Sequence, residues 1–123
     1  VLTLQASALL LQLQADNVTL HAPTLIRYEF VAVSRKAVYQ KRVTATEGIT
    51  ARNQLMSYPL VLHFDEGLLK RGYELAEIFN RPTAYDSQYL ALAERLACEF
   101  WTGDEKLFNA VNTKFPSIHW LGK

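Results

Sequence analysis

Glu29, Asp86 and Asp104 are the residues whose type and spacing carry chemistry in this chain. Each sits in its own local frame: Ala22-Pro23-Thr24-Leu25-Ile26-Arg27-Tyr28-Glu29, Tyr85-Asp86-Ser87-Gln88-Tyr89-Leu90, and Phe100-Trp101-Thr102-Gly103-Asp104. Carboxylates far apart in sequence act together only when folding gathers them. Gathered acids repel one another and hold their protons more tightly unless a divalent cation neutralises them. Oxygen-rich clusters of this kind bind Mg²⁺ or Mn²⁺, and the bound ion supports phosphodiester cleavage.

Positioning such acids is the work of the elements around them. Apolar runs bounded by Pro, Gly, Asn and Asp alternate with stretches of helical periodicity, the pattern of a parallel sheet with helices on both faces. Val18–Ala22 reads as a strand, with Pro23 suited to the first turn of a helix running from Thr24 to about Arg42. Leu25, Phe30, Val33, Ala37 and Val38 mark its apolar positions. Thr44–Gly48 reads as a break and Ile49–Ser57 as a short helix. Residues 58–64 form a strand candidate with Pro59 at its edge. Asp65 or Glu66 opens a helix to about Phe79, burying Leu68, Leu69, Leu75, Ala76 and Phe79. Asn80-Arg81-Pro82 breaks the chain. Thr83 is placed to cap a helix from Asp86 to about Ala97 that buries Tyr89, Leu90, Ala93, Leu96 and Ala97. Cys98–Thr102 is the next strand, Gly103-Asp104 a turn, Glu105–Val111 a helix, and Ile118–Leu121 the last strand.

This layout predicts a three-layer α/β/α sandwich with a mostly parallel central sheet, formed by a single domain over residues 1–123. Asp104 lies just past a strand end, Asp86 in the first turn of a helix and Glu29 in the second. In open α/β sheets, sites form outside the carboxyl ends of the strands, so the three acids are expected along one sheet edge.

Composition sets the outer bounds. The chain has 123 residues, is half hydrophobic and one-fifth charged, and carries a formal net charge of +1. That describes a soluble globular domain large enough for one core. The single cysteine, Cys98, excludes an internal disulfide framework and fits a reducing compartment such as the cytoplasm. No apolar run reaches the length of a membrane span, and the Leu-rich start lacks a basic leader region. Residues 24–43 hold five Lys and Arg against Glu29 alone, a local +4. Such a patch meets phosphates or serves as a solvated helix face.

The three acidic frames, in this order and spacing, resemble the PIN-domain family, in particular the bacterial VapC-type toxin ribonucleases. The resemblance spans residues 18–121. It rests on Ala22-Pro23 followed by Glu29, on Asp86 with Tyr89-Leu90-Ala91-Leu92-Ala93, and on Thr102-x-Asp104 with Leu107. It implies an α/β/α sandwich and an acidic cluster that uses Mg²⁺ or Mn²⁺ to hydrolyse RNA. It further implies a homodimer and a small antitoxin protein as partner. By position, Glu29, Asp86 and Asp104 take the catalytic and metal-holding roles, and Thr102 supports them. Arg27, Arg35 and Lys36 are candidates for contact with the RNA backbone.

One departure stands at the N-terminus, where the family begins with a strand ending in Asp. Residues 1–17 admit two readings. In one, Val1–Ser7 is that strand, with Gln5 at the Asp position. In the other, residues 1–15 form a helix and the strand is missing; the Leu, Ala and Gln content favours this reading. Under both, the fourth acid is absent from the sequence, so the domain reads as truncated or degenerate at this end. This opens an alternative function: a catalytically incomplete PIN-fold protein acting as a binding module.

Plain structural roles stand beside these assignments. Asp86 suits any helix first turn, Asp104 any turn after glycine, and Thr102 any strand. His21, His63 and His119 lack metal-ligand spacing and are expected to be structural. Cys98 is expected to be buried and inert, and Trp101 and Trp120 to lie in the core or an interface.

Overall fold

Residues 2–15 are helical. In the computed structural model, which describes residues 2–122, α1 spans Leu2–Ala15. A left-handed Asn17 stops it, with the Val18 amide donating back to the Leu13 carbonyl at 2.9 Å. The chain then runs through β1 (Leu20–Pro23), α2 (Leu25–Tyr39), α3 (Ala45–Ser57) and β2 (Leu60–His63). It continues through α4 (Glu66–Ile78), α5 (Asp86–Leu96), β3 (Phe100–Thr102), α6 (Glu105–Val111) and β4 (Ile118–Trp120). The α/β class and the parallel strands are as the sequence predicts. The strands pair as two separate parallel ladders, β1 with β2 and β3 with β4. They belong to two compact units: residues 20–64 form one, and residues 1–19 with 65–123 form the other.

In the 20–64 unit, β1 lies in register with β2, Leu20 opposite Leu60 and Pro23 opposite His63. Pro23 therefore ends the strand instead of opening the helix, and Thr24 holds the N-cap position of α2. A proline at a strand end fits because the ladder asks no amide of it. The expected break at Thr44–Gly48 is instead a helix start. Thr44 Oγ1 accepts from the Glu47 amide at 3.1 Å, and Glu47 accepts from the Thr44 amide at 2.9 Å. This reciprocal capping box begins α3 four residues earlier than periodicity suggests. α2 and α3 pack closely at Gly48, where a Cβ would fall 2.2 Å from a Val38 methyl. Val33, expected on the inner face of α2, is 60% exposed; Ser34 takes the buried position and donates to the Phe30 carbonyl at 2.8 Å.

The second unit holds the larger core. Leu68 and Leu75 of α4 pack with Leu90–Ala93 of α5, Leu107 and Val111 of α6, Phe115, and Ile118 of β4. The buried stripe of α4 runs through Leu68, Gly72, Leu75 and Ala76, which leaves Leu69 on the outer side and 47% exposed. Gly72 faces the Gln88 side chain across the α4–α5 contact. Two ion pairs staple the same helices: Arg71 to Glu94 in a fork of 2.7 and 3.0 Å, and Arg95 to Asp65. Asp65 also caps α4, accepting from the Leu68 amide at 2.9 Å. Ala97 takes the left-handed conformation that ends α5, which leaves Ala97 and Cys98 in an exposed turn. The buried positions expected for both are thereby overturned.

Candidate active site

Asp104 sits where β3 hands over to α6. Its amide donates to Thr102 Oγ1 at 3.0 Å, and its own Oδ1 accepts from the Leu107 amide at 3.1 Å. The side chain is thus the N-cap of α6, on a turn whose backbone Thr102 holds. Thr102 is almost fully buried, and its carbonyl continues the ladder by accepting from the Leu121 amide at 2.9 Å. The threonine therefore anchors the acidic turn to the parallel pair, a role that its place in the sequence left open.

Asp86 opens α5, where its charge favours the helix dipole. The N-cap position falls on Tyr85, so Thr83 lies outside the helix start and the expected capping arrangement does not form. Asp86 Oδ2 meets the Arg81 guanidinium at 3.6 Å. Arg81 is mostly buried, and its Nε has no hydrogen-bond partner. The adjacent Ser87 is fully buried with its hydroxyl likewise unpartnered. Arg81 was not anticipated from sequence; its only signal was a basic residue inside the Asn-Arg-Pro break before an acid-led helix.

Glu29 lies half-buried in the second turn of α2. It belongs to the 20–64 unit, whereas Asp86 and Asp104 belong to the other. Among the described residues no three His, Cys, Asp or Glu side chains are gathered into a group able to hold a metal ion. The donor chemistry at the strand exit nevertheless suits a hard cation. Mg²⁺ is held by one or two carboxylates and keeps several waters, so it does not require three protein ligands. Asp104 retains Oδ2 beyond its capping bond, and Asp86 is a second oxygen donor in the same unit.

Charge divides between the units. Residues 20–64 hold six Lys and Arg against two acids, a net +4, and the rest of the chain holds seven against ten, a net −3. Within the basic unit, Arg27 and Arg35 line an open groove of about 810 Å³ with Tyr28, Val31, Met56 and Phe64. Its walls are mainly apolar, with these two arginines at the rim.

The family model for the PIN domain matches residues 4–114, spanning both units and all three acidic frames. This chain belongs to the PIN-domain family. The PIN domain is similar to a VapC ribonuclease of Mycobacterium bovis, at 31% identity over 102 residues, covering 79% of this chain and 74% of that protein. It stands in the same relation to the ribonuclease VapC9 of two strains of Mycobacterium tuberculosis. Among the described residues of this PIN domain, no helix is long and apolar enough to cross a membrane.

Proposed function

We propose that this PIN domain is a metal-dependent endoribonuclease of the VapC type, the toxin of a toxin–antitoxin pair working in the cytoplasm. The observation that carries the reading is the fixed turn Thr102–Asp104–Leu107 at the exit of β3, in a chain of this family. A carboxylate that accepts one backbone amide, on a turn whose own amide is tied to the strand end, is pre-organised, and that is what in-line phosphoryl chemistry asks of a protein. Asp86 and Asp104 are assigned to hold the cation, and Glu29, in the other unit, is assigned to the catalytic set by its place in the family frame. Mg²⁺ or Mn²⁺, when bound, supplies activation of water and neutralisation of charge on phosphate oxygens. Thr102 keeps Asp104 in place, Arg81 orients Asp86, and Arg27, Arg35 and Lys36 attract the RNA backbone. The Arg-rimmed apolar groove suits docking of the antitoxin, and a homodimer is the assembly assigned to the toxin.

The test is cleavage of a structured RNA by the purified chain with Mg²⁺ or Mn²⁺. Cleavage that falls at least 100-fold in Asp86→Asn and vanishes with a chelator supports the assignment. Equal activity in the variant removes Asp86 from the site.

A second reading is a PIN-fold binding module that does not cut. The lack of a three-ligand group among the described residues favours it. Calorimetric titration separates the two: millimolar Mn²⁺ gives heat with the nuclease and none with the binding module.

A further inference from the structure

Two histidines far apart in sequence meet in the 20–64 unit. His21 is the second residue of β1 and His63 the last of β2. The register puts His21 opposite Val61, so His63 lies two residues along on the neighbouring strand, on the same face of the pair. Their side chains touch: His21 Nδ1 lies 2.9 Å from His63 Nε2, with ring centroids 5.2 Å apart. His21 is exposed and His63 half-buried, so ions in solvent have access to the pair.

The spacing matches a chelate. Imidazole nitrogens bind late first-row metal ions at about 2.0–2.1 Å, which places two neighbouring ligands about 2.9–3.3 Å apart. We propose that His21 and His63 form a bidentate site for a divalent transition ion of the Zn²⁺, Ni²⁺ or Cu²⁺ class, with water completing the coordination. Its ligand chemistry differs from that of the carboxylates assigned to Mg²⁺ or Mn²⁺: imidazole suits Zn, Cu and Ni, whereas Mg²⁺ takes oxygen ligands. Metal-free, one facing nitrogen carries the proton of the inter-ring hydrogen bond. Ligation needs a lone pair on both, so that ring takes the other tautomer: the facing nitrogen loses its proton and the far nitrogen of the same ring carries one. The bound ion clamps β1 to β2 and stabilises this unit by mass action.

The experiment uses the full chain without a histidine tag, titrated with Cu²⁺, which binds most tightly in the divalent series. Calorimetry gives the affinity, and electron paramagnetic resonance counts the coordinated nitrogens. One equivalent of Cu²⁺ bound through two imidazole nitrogens is expected, with affinity falling at least tenfold in His21→Ala and in His63→Ala. His119→Ala leaves binding unchanged, a tenfold excess of Mg²⁺ does not compete, and acidification releases the copper. Unchanged affinity in either of the first two variants overturns the site, as does a one-nitrogen spectrum from the wild-type chain. Should a variant misfold, that wild-type nitrogen count still decides the matter. Loss of RNA cleavage in Asp86→Asn with copper binding intact tests the nuclease reading apart from this one.

Discussion

Thr102 Oγ1 accepts the Asp104 amide at 3.0 Å, and this one bond ties the acidic turn to β3. The buried hydroxyl stands at the last residue of the strand, and the carboxylate two residues on caps the next helix. A strand end, a turn and a helix start are thereby fixed by one threonine and one aspartate.

Thr102→Val keeps the shape of the side chain and removes the acceptor. The Asp104 amide then loses its partner, at a cost of about 1 kcal/mol. Thermal unfolding should register that loss, and RNA cleavage should fall more than tenfold as the carboxylate loses its fixed place. Thr102→Ser restores the acceptor and should recover both. A Val variant as active as the wild type would leave Thr102 a strand residue only.

Asp104 has two roles that substitution can separate. Asn caps helices about as well as Asp, whereas Ala does not. Asp104→Asn should keep stability within a few tenths of a kcal/mol and still lose RNA cleavage at least 100-fold, because the charge that holds a cation is gone. Asp104→Ala should lose about 1 kcal/mol as well. Unfolding midpoints measured beside cleavage rates distinguish a cap from a cap that also works in catalysis.

Much of this architecture was legible from composition and periodicity, and what was missed has physical causes. The start of α4 at Asp65 or Glu66, the stripe of Leu68 and Leu75, and the Asp104 turn followed from residue type and spacing. Helix ends did not. Lys41 and Ala97 take the left-handed conformation that glycine usually supplies, and neither residue type announces it. The Thr44–Glu47 box reads as a break because Gly48 directly follows it, and that glycine serves close packing against Val38. Arg81 beside Asp86, and His21 beside His63, depend on tertiary pairing that no local pattern encodes.

Acid should loosen the α4–α5 contact. The Arg95 guanidinium, helped by the Leu68 amide, holds the Asp65 carboxyl down to about 2 from an ordinary 3.8. Glu94 is likewise lowered, chiefly by its hydrogen bonds from Arg71. A carboxylate with a depressed folded-state pKa contributes stability above its unfolded value and loses it as pH falls towards the folded one. Unfolding midpoints should therefore drop between about pH 4 and pH 2. Asp65→Asn should flatten part of that slope, and an unchanged slope would remove the Asp65–Arg95 pair as its source.

Gly48→Ala tests the α2–α3 contact against helix propensity. Alanine favours a helix over glycine by about 1 kcal/mol. Here its Cβ would lie 2.2 Å from a Val38 methyl. Valine is stiff at χ1 in a helix, so the clash has to move a helix. A net loss of about 1–3 kcal/mol is expected from chemical denaturation. Adding Val38→Ala should recover part of it, and a loss that is merely additive would rule out the contact as its origin.

Ala97→Gly should stabilise the chain. Ala97 holds φ 50° and ψ 45° at the end of α5, with the Cys98 amide donating to the Ala93 carbonyl at 3.1 Å. A left-handed non-glycine residue carries a penalty of roughly 1–2 kcal/mol. Glycine removes it and costs about 0.5–1 kcal/mol of extra freedom in the unfolded chain. Ala97 is exposed, so no packing is lost. A gain of about 0.5–1 kcal/mol in denaturant unfolding is expected, with RNA cleavage unchanged. A destabilised variant would mean that the turn before β3 depends on the Ala97 side chain.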